Sequence, residues 1–191
     1  IETSGRFLDI SGARVSAAAP LGVAGNWLLD PTDLVIGSVE AAGISSALSG
    51  GTSVEVRTSD VESEEPGDLT VAEGVEILHS GAADVQLTLS AHRDILIDSG
   101  ARIAATGTGS LAVDLNAGLE EEGEGQIRLN GATIATNGGS LRLYGQTDPS
   151  AGSAKGRCEG SGCSDDYFPG VSIFGSTITT GAGAISIRGD G

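Results

Sequence analysis

Apolar and polar residues alternate in short runs along the chain, and in its second half the runs recur in one arrangement. Ile95-Leu96-Ile97 leads through Asp98-Ser99-Gly100 to an isolated Ile103, and Gly109-Ser110 then opens Leu111-Ala112-Val113-Asp114-Leu115. Ile127-Arg128-Leu129 leads through Asn130-Gly131 to Ile134, and Gly139-Ser140 opens Leu141-Arg142-Leu143. Val171-Ser172-Ile173 leads through Gly175-Ser176 to Ile178, and Gly183 precedes Ile185-Ser186-Ile187. Alternation at period two sends every second side chain to one face of a strand. Glycine supplies the positive φ that sharp corners need. The pattern predicts an all-β fold, a right-handed parallel β-helix whose coils of roughly 20 residues stack on one another. A sandwich of hairpins would instead place Asn-Gly or Asp-Gly between long strands. Asn130-Gly131 is a candidate, and the runs it joins are too short.

The first half carries the same texture less cleanly, in Phe7 to Val15, Leu34 and Ile36, Val54 and Val56, Leu69 to Ile77, and Val85 to Leu89. No segment sustains a helical period, and Ile44 to Leu48 predicts one helical turn at most. Residues 1–191 read as a single segment of solenoid with three insertions, at about 60–68, 119–125 and 146–170. Insertions at corners are what a stacked coil tolerates, because the coil closes beneath them.

Composition narrows the classes. Glycine supplies 31 residues and aromatics 3%, so the core must be built from Ala, Val, Ile and Leu. The 26 acidic residues against 10 basic ones give a net charge of −16. Disorder does not follow, because the apolar residues are not sparse. The charge opposes nucleic acid and anionic membrane surfaces as partners. No run of about 18 apolar residues is present, so no membrane insertion is expected. The chain opens mid-pattern at Ile1-Glu2-Thr3-Ser4-Gly5 without a targeting segment, and the expectation is a piece of a longer exported protein.

Glu2-Thr3-Ser4-Gly5, then Leu8-Asp9-Ile10 and Val15, Trp27-Leu28-Leu29-Asp30-Pro31 and Asp33-Leu34-Val35-Ile36 resemble the large bacterial two-partner-secretion exoproteins. These are the filamentous haemagglutinins and high-molecular-weight adhesins. Ile44-Ser45, Ala47-Leu48, Gly51-Thr52, Val54-Glu55-Val56, Gly67-Asp68-Leu69 and Leu87-Thr88-Leu89 continue the likeness, which covers nearly the whole chain. Trp27 to Pro31 placed after Glu2 to Gly5 is its most specific part. The resemblance implies a β-helical shaft, export by an outer-membrane partner transporter, and a secreted or cell-surface location. It also implies adhesion, aggregation or biofilm formation through a host or bacterial surface glycan or protein. The secretion domain of such proteins is not recognisable here, so the piece belongs downstream of it. The cysteine-bearing insertion departs from the pattern.

Cys158 and Cys163 flank a Gly-rich loop and suit a disulfide in an oxidising compartment, with free thiols as the alternative. A metal site would need two more ligands, and His79 and His92, read as surface or turn residues, lie far off in sequence. Asp165, Asp166, Tyr167 and Phe168 are the candidate ligand-contacting residues, on a loop that a disulfide would rigidify. The plainer reading has Tyr167 and Phe168 folding back over apolar flank. Calcium is the one cofactor the acidic loops suggest. Glu120, Glu121, Glu122 and Glu124 lack the Asp/Asn-Gly spacing of a dedicated loop, and a solvated bulge is the simpler account. Trp27 reads as packing before the Asp30-Pro31 turn, and Arg188-Gly189-Asp190 as a turn after a strand.

No enzyme is expected. β-Helical enzymes acting on polysaccharides gather Asp, Lys, Arg or His on one face, whereas this chain has a single lysine, Lys155, and Asp165-Asp166 as its only adjacent Asp pair. An ice-binding face would need a regular threonine ladder, and Thr133, Thr136, Thr177, Thr179 and Thr180 are confined to the last part of the chain.

Overall fold

A computed structural model describes residues 1–19, 24–59, 66–119, 124–146, 150–158 and 167–190. The chain is mostly β, with parallel sheets and one helix among the described residues. β1 (Glu2–Ser4) is followed by β2 (Asn26–Asp30), β3 (Leu34–Ile36) and α1 (Ser38–Ser49). Next come β4 (Ser53–Arg57), β5 (Leu69–Val71) and β6 (Glu76–His79), then β7 (Val85–Ala91), β8 (Ile95–Ile97) and β9 (Arg102–Ala105). β10 (Leu111–Ala117), β11 (Ile127–Asn130), β12 (Thr133–Ala135) and β13 (Leu141–Gly145) follow. The last stretch holds β14 (Ala154–Lys155), β15 (Arg157–Cys158), β16 (Tyr167–Phe168), β17 (Val171–Phe174), β18 (Thr177–Thr179), β19 (Ile185–Ile187) and β20 (Gly189–Asp190).

The strands fall in rotation into three sheets. The first runs β1-β2-β4-β7-β10-β13-β19, the second β3-β5-β8-β11-β17, and the third β6-β9-β12-β18. Every pairing within them is parallel, so each strand bonds to its counterpart one round earlier or later. Leu89 partners Leu115 and Ile77 partners Ile103, a spacing of 26 residues in both cases. A round is therefore longer than the roughly 20 residues the sequence suggested. The visible repeat covers two sides of the round, and the third side with its corner needs more chain than that estimate allowed.

The register stacks like on like. Trp27, Val54, Leu87, Val113, Leu141 and Ile185 form one inward column of the first sheet, and Leu29, Val56, Leu89, Leu115, Leu143 and Ile187 a second. In the second sheet Leu34, Leu69, Ile95, Ile127 and Val171 align, and in the third Ile77, Ile103, Ile134 and Ile178. Burying each such side chain stabilises the fold by about 1.5–3 kcal/mol. The columns close the core without needing aromatics. Trp27 is the exception, fully buried with its indole N–H donating to Thr3 Oγ1 at 3.1 Å.

α1 is the main departure from expectation, with 12 residues where the sequence predicted one turn at most. It takes the place of a strand beyond β6, burying Ala41, Ile44, Ala47 and Leu48. Ser45 Oγ accepts from the Leu78 N–H and Ser49 Oγ from the Ser80 N–H, both at 2.9 Å. Residues four apart on a helix rise about 6 Å, close to the roughly 6.6 Å between alternate strand residues. The two hydroxyls thus match the donors of the strand edge and end the sheet. Glu40 Oε2 accepts from the Gly37 N–H at 2.9 Å and fixes the start of the helix.

The corner from the third sheet to the first is tied by buried polar side chains. His79 Nε2 lies 2.8 Å from the Ala83 carbonyl, and the Thr136 and Thr180 hydroxyls donate to Gly139 and Gly183 carbonyls. Of the two positions expected of His79, surface or turn, the structure gives the turn, with the ring fully buried. Its ring fills the inward position of the column, where a polar residue is tolerated because the turn offers it a partner.

Candidate functional site

All three insertions return to one corner, between the first and second sheets. The first joins β4 to β5, the second β10 to β11, and the third β13 to β17. Their ranges, 60–68, 119–125 and 146–170, carry 13 of the 26 acidic residues.

A ladder of main-chain bonds carries this corner from round to round. Arg93 N–H donates to the Gly67 carbonyl, Gly118 N–H to Arg93, and Gln146 N–H to Ala117 and Gly118. Thr58, fully buried, donates through its hydroxyl to the Gly67 carbonyl at 2.6 Å and accepts from the His92 N–H at 3.1 Å. That pair of bonds pins the base of the first insertion. Gly125 and Lys155 form an antiparallel bridge, so the second and third insertions touch where they leave the fold.

Aspartates build the next step of the corner. Asp33, Asp68 and Asp94 each precede a strand of the second sheet, at aligned positions. Asp33 Oδ1 accepts from the Asp68 N–H at 2.7 Å, Asp68 Oδ1 from the Asp94 N–H at 3.1 Å, and Asp94 Oδ1 from the Gln126 N–H at 2.9 Å. Arg93 adds a forked pair to Asp68, with Nε to Oδ1 at 2.8 Å, and lies 3.7 Å from Asp94. The Asp68 hydrogen bond, more than the surrounding charge, holds the Arg93 guanidinium above its ordinary value. These carboxylates are engaged in holding the corner.

A polar network lies on the outer face of the first sheet. Asp114 is nearly buried and accepts from Arg142 Nε at 2.7 Å and from Gln86 Nε2 at 2.7 Å. Tyr144 stands one position along, and burial pushes its hydroxyl above the ordinary value, with Asp114 adding to the shift.

The candidate residues from the sequence fall differently. Tyr167 and Phe168 form β16, antiparallel to β15, with Cys158 opposite Tyr167 and Arg157 opposite Phe168. Asp165, Asp166 and Cys163 lie outside the described residues, as do Glu120, Glu121 and Glu122. Among the described residues no three His, Cys, Asp or Glu side chains are grouped to hold a metal ion, and no helix is long and apolar enough to cross a membrane. Arg188-Gly189-Asp190 is not a turn. Gly189–Asp190 pairs with β14, and the Arg188 and Asp190 carbonyls accept from Ala154, Gly156 and Gly170. The threonines divide as well, since Thr133 and Thr177 are partners while Thr136 and Thr180 turn inward.

No family model, no curated protein and no solved structure matches the chain.

Proposed function

We propose that the chain is a segment of right-handed parallel β-helix from a secreted, cell-surface bacterial adhesin of the filamentous-haemagglutinin kind. In this reading the stacked rounds are shaft, and the corner between the first and second sheets is where the shaft meets a surface glycan or protein. The observation that carries it is the return of all three insertions to that one corner. In stacked-repeat proteins, insertions gathered on one side commonly form the binding face. The right hand follows from the general preference of parallel crossovers. The residue resemblance supports the family and, through it, export by a partner transporter and a role in adhesion, aggregation or biofilm.

The test is adherence of the purified chain to bacterial and host cells, beside turnover assays on a polysaccharide panel. Saturable adherence without turnover is the expected result. Replacing residues 159–166, between β15 and β16, by a short Gly-Ser turn should reduce adherence while the β-content stays the same. Turnover on a uronate polymer, abolished by one Asp substitution, would replace this reading with an enzyme.

A further inference from the structure

Two corners of the same round carry an asparagine followed by glycine. Asn130-Gly131 stands where β11 turns into β12, and Asn137-Gly138 where β12 gives way to β13. Such a step has a reaction of its own. The glycine nitrogen attacks the asparagine side-chain carbonyl carbon and closes a five-membered imide, since glycine has no Cβ to stand in the way. Both glycines are left-handed, with φ +63 at Gly131 and +95 at Gly138.

The fold treats the two steps differently. Asn137 Nδ2 donates to the Gly107 carbonyl at 3.3 Å and the Gly109 carbonyl at 3.2 Å, which anchors its amide on the preceding round. The Gly138 N–H donates to the Thr180 carbonyl at 2.8 Å. Asn130 is exposed, and its side-chain amide has no hydrogen bond to any described residue. Its restraint lies on the nucleophile instead, for the Gly131 N–H donates to the Phe174 carbonyl at 2.7 Å. That acceptor belongs to β17, where Ile173 is 41% exposed, while its β11 partner Leu129 is 1% exposed. A strand with so little of its apolar side covered opens locally at low cost.

We infer that Asn130 is a site of spontaneous conversion to aspartate and isoaspartate, gated by the docking of β17 on β11. When β17 lifts, the Gly131 N–H loses the Phe174 carbonyl and gives its proton to solvent base. The nitrogen then bonds to Asn130 Cγ, and the side-chain nitrogen takes up a proton and leaves as ammonia. Water opens the imide at either carbonyl. Cleavage between the Gly131 nitrogen and Cγ leaves aspartate with the chain unchanged. Cleavage between that nitrogen and the main-chain carbonyl leaves isoaspartate, with Cβ now part of the main chain. The corner has little room for an added atom, since a Cβ on Gly131 would stand 3.2 Å from Ser99 Oγ. The Gly131 N–H is thereby moved out of line with its acceptor, so conversion and undocking of β17 promote one another. Either product adds a negative charge to a chain already at −16. The inference does not depend on the adhesin reading.

The experiment follows both steps by peptide mass spectrometry, with fragmentation that separates aspartate from isoaspartate, during long incubation at neutral and mildly alkaline pH. A second sample is kept unfolded in urea, where the two steps should convert at similar rates. In the folded chain Asn130 should convert at least tenfold faster than Asn137, and faster again at the alkaline pH. Amide hydrogen exchange should be quicker at Gly131 than at Gly138. Ile173→Ser loosens β17 and should raise the Asn130 rate, and Asn130→Gln should suppress conversion because a six-membered imide closes far more slowly. Equal rates in the folded chain, a faster Asn137, or the same ratio folded and unfolded overturns the inference. So does an intact Asn130 in folded chain after the urea sample has converted, or an Asn130 rate that Ile173→Ser leaves unmoved. Unchanged amide spectra in β7 and β10 show that the variant keeps its fold. Where they change, the ratio between folded and unfolded chain decides alone.

Discussion

Arg142 closes a fork on Asp114 from the partnered position of the neighbouring strand, β13 against β10. The Asp114 side chain is 3% exposed and that of Arg142 39%, so one partner is buried and the other half in water. Removing Arg142 leaves a buried carboxylate with Gln86 as its remaining partner. Full loss of a buried pair costs about 3–5 kcal/mol, but water reaches Arg142 and reduces that. Arg142→Ala should therefore destabilise by about 1–3 kcal/mol, read as a lower urea midpoint at unchanged slope. Arg142→Lys should recover part of it, since an ammonium cannot fork.

The serines of α1 make a separate prediction. Ser45→Ala and Ser49→Ala should each cost about 1 kcal/mol, because the Leu78 N–H of β6 or the Ser80 N–H just beyond it loses its acceptor. Hydrogen exchange should quicken at Leu78 for the first substitution and at Ser80 for the second. Ser46→Ala, at an exposed position on the same helix, should stay within about 0.5 kcal/mol.

Two glycines should answer differently to alanine. A Cβ on Gly139 would stand 2.2 Å from the Leu111 carbonyl oxygen, in backbone that cannot yield cheaply. Gly139→Ala should cost about 3 kcal/mol through overpacking. Gly74 has φ +68 and open space around it, so Gly74→Ala meets only the left-handed backbone penalty of about 1–2 kcal/mol. Thermal melts of both variants separate a steric cause from a conformational one.

Much of this was legible in the sequence, and the rest fails for identifiable reasons. The inward columns follow from strict alternation in stretches such as Ile127-Arg128-Leu129, whose pattern leaves one choice of face. α1 hides because Ala41, Ile44, Ala47 and Leu48 are separated by serines and Gly43, which have weak helix preference. Its order comes from packing against β6, a contact no local window contains. The aspartate ladder is readable as Asp before apolar-x-apolar at 33, 68 and 94. The unequal spacings of 35 and 26 residues conceal the recurrence until the register is known. Asn130 and Phe174 come together only because Ile127 pairs with Val171, 44 residues on.

Asp84 offers a pH test. Its carboxylate accepts from the Ser110 N–H at 2.9 Å and the Ser110 hydroxyl at 2.8 Å, which together hold it below its ordinary value, the backbone bond first. A depressed value in the folded state contributes stability above the ordinary carboxylate range, and that stability is lost as pH falls through the folded value. Ser110→Ala removes the weaker of the two bonds. The Asp84 midpoint should rise part of the way toward its ordinary value, measured by carboxyl NMR titration, and an unchanged midpoint would show that the hydroxyl contributes nothing.

The parallel register has a mechanical consequence. Strands bonded to counterparts a round away have their hydrogen bonds directed from one round to the next. A pull on the two ends therefore loads those bonds in tension, one round at a time, and does not shear whole sheets at once. A released round of 26 residues, such as that from Leu89 to Leu115, yields about 90 Å of slack at roughly 3.3–3.6 Å per residue. Under load such a chain lengthens in steps like a ripping seam, and spreads one sharp tug over many small failures.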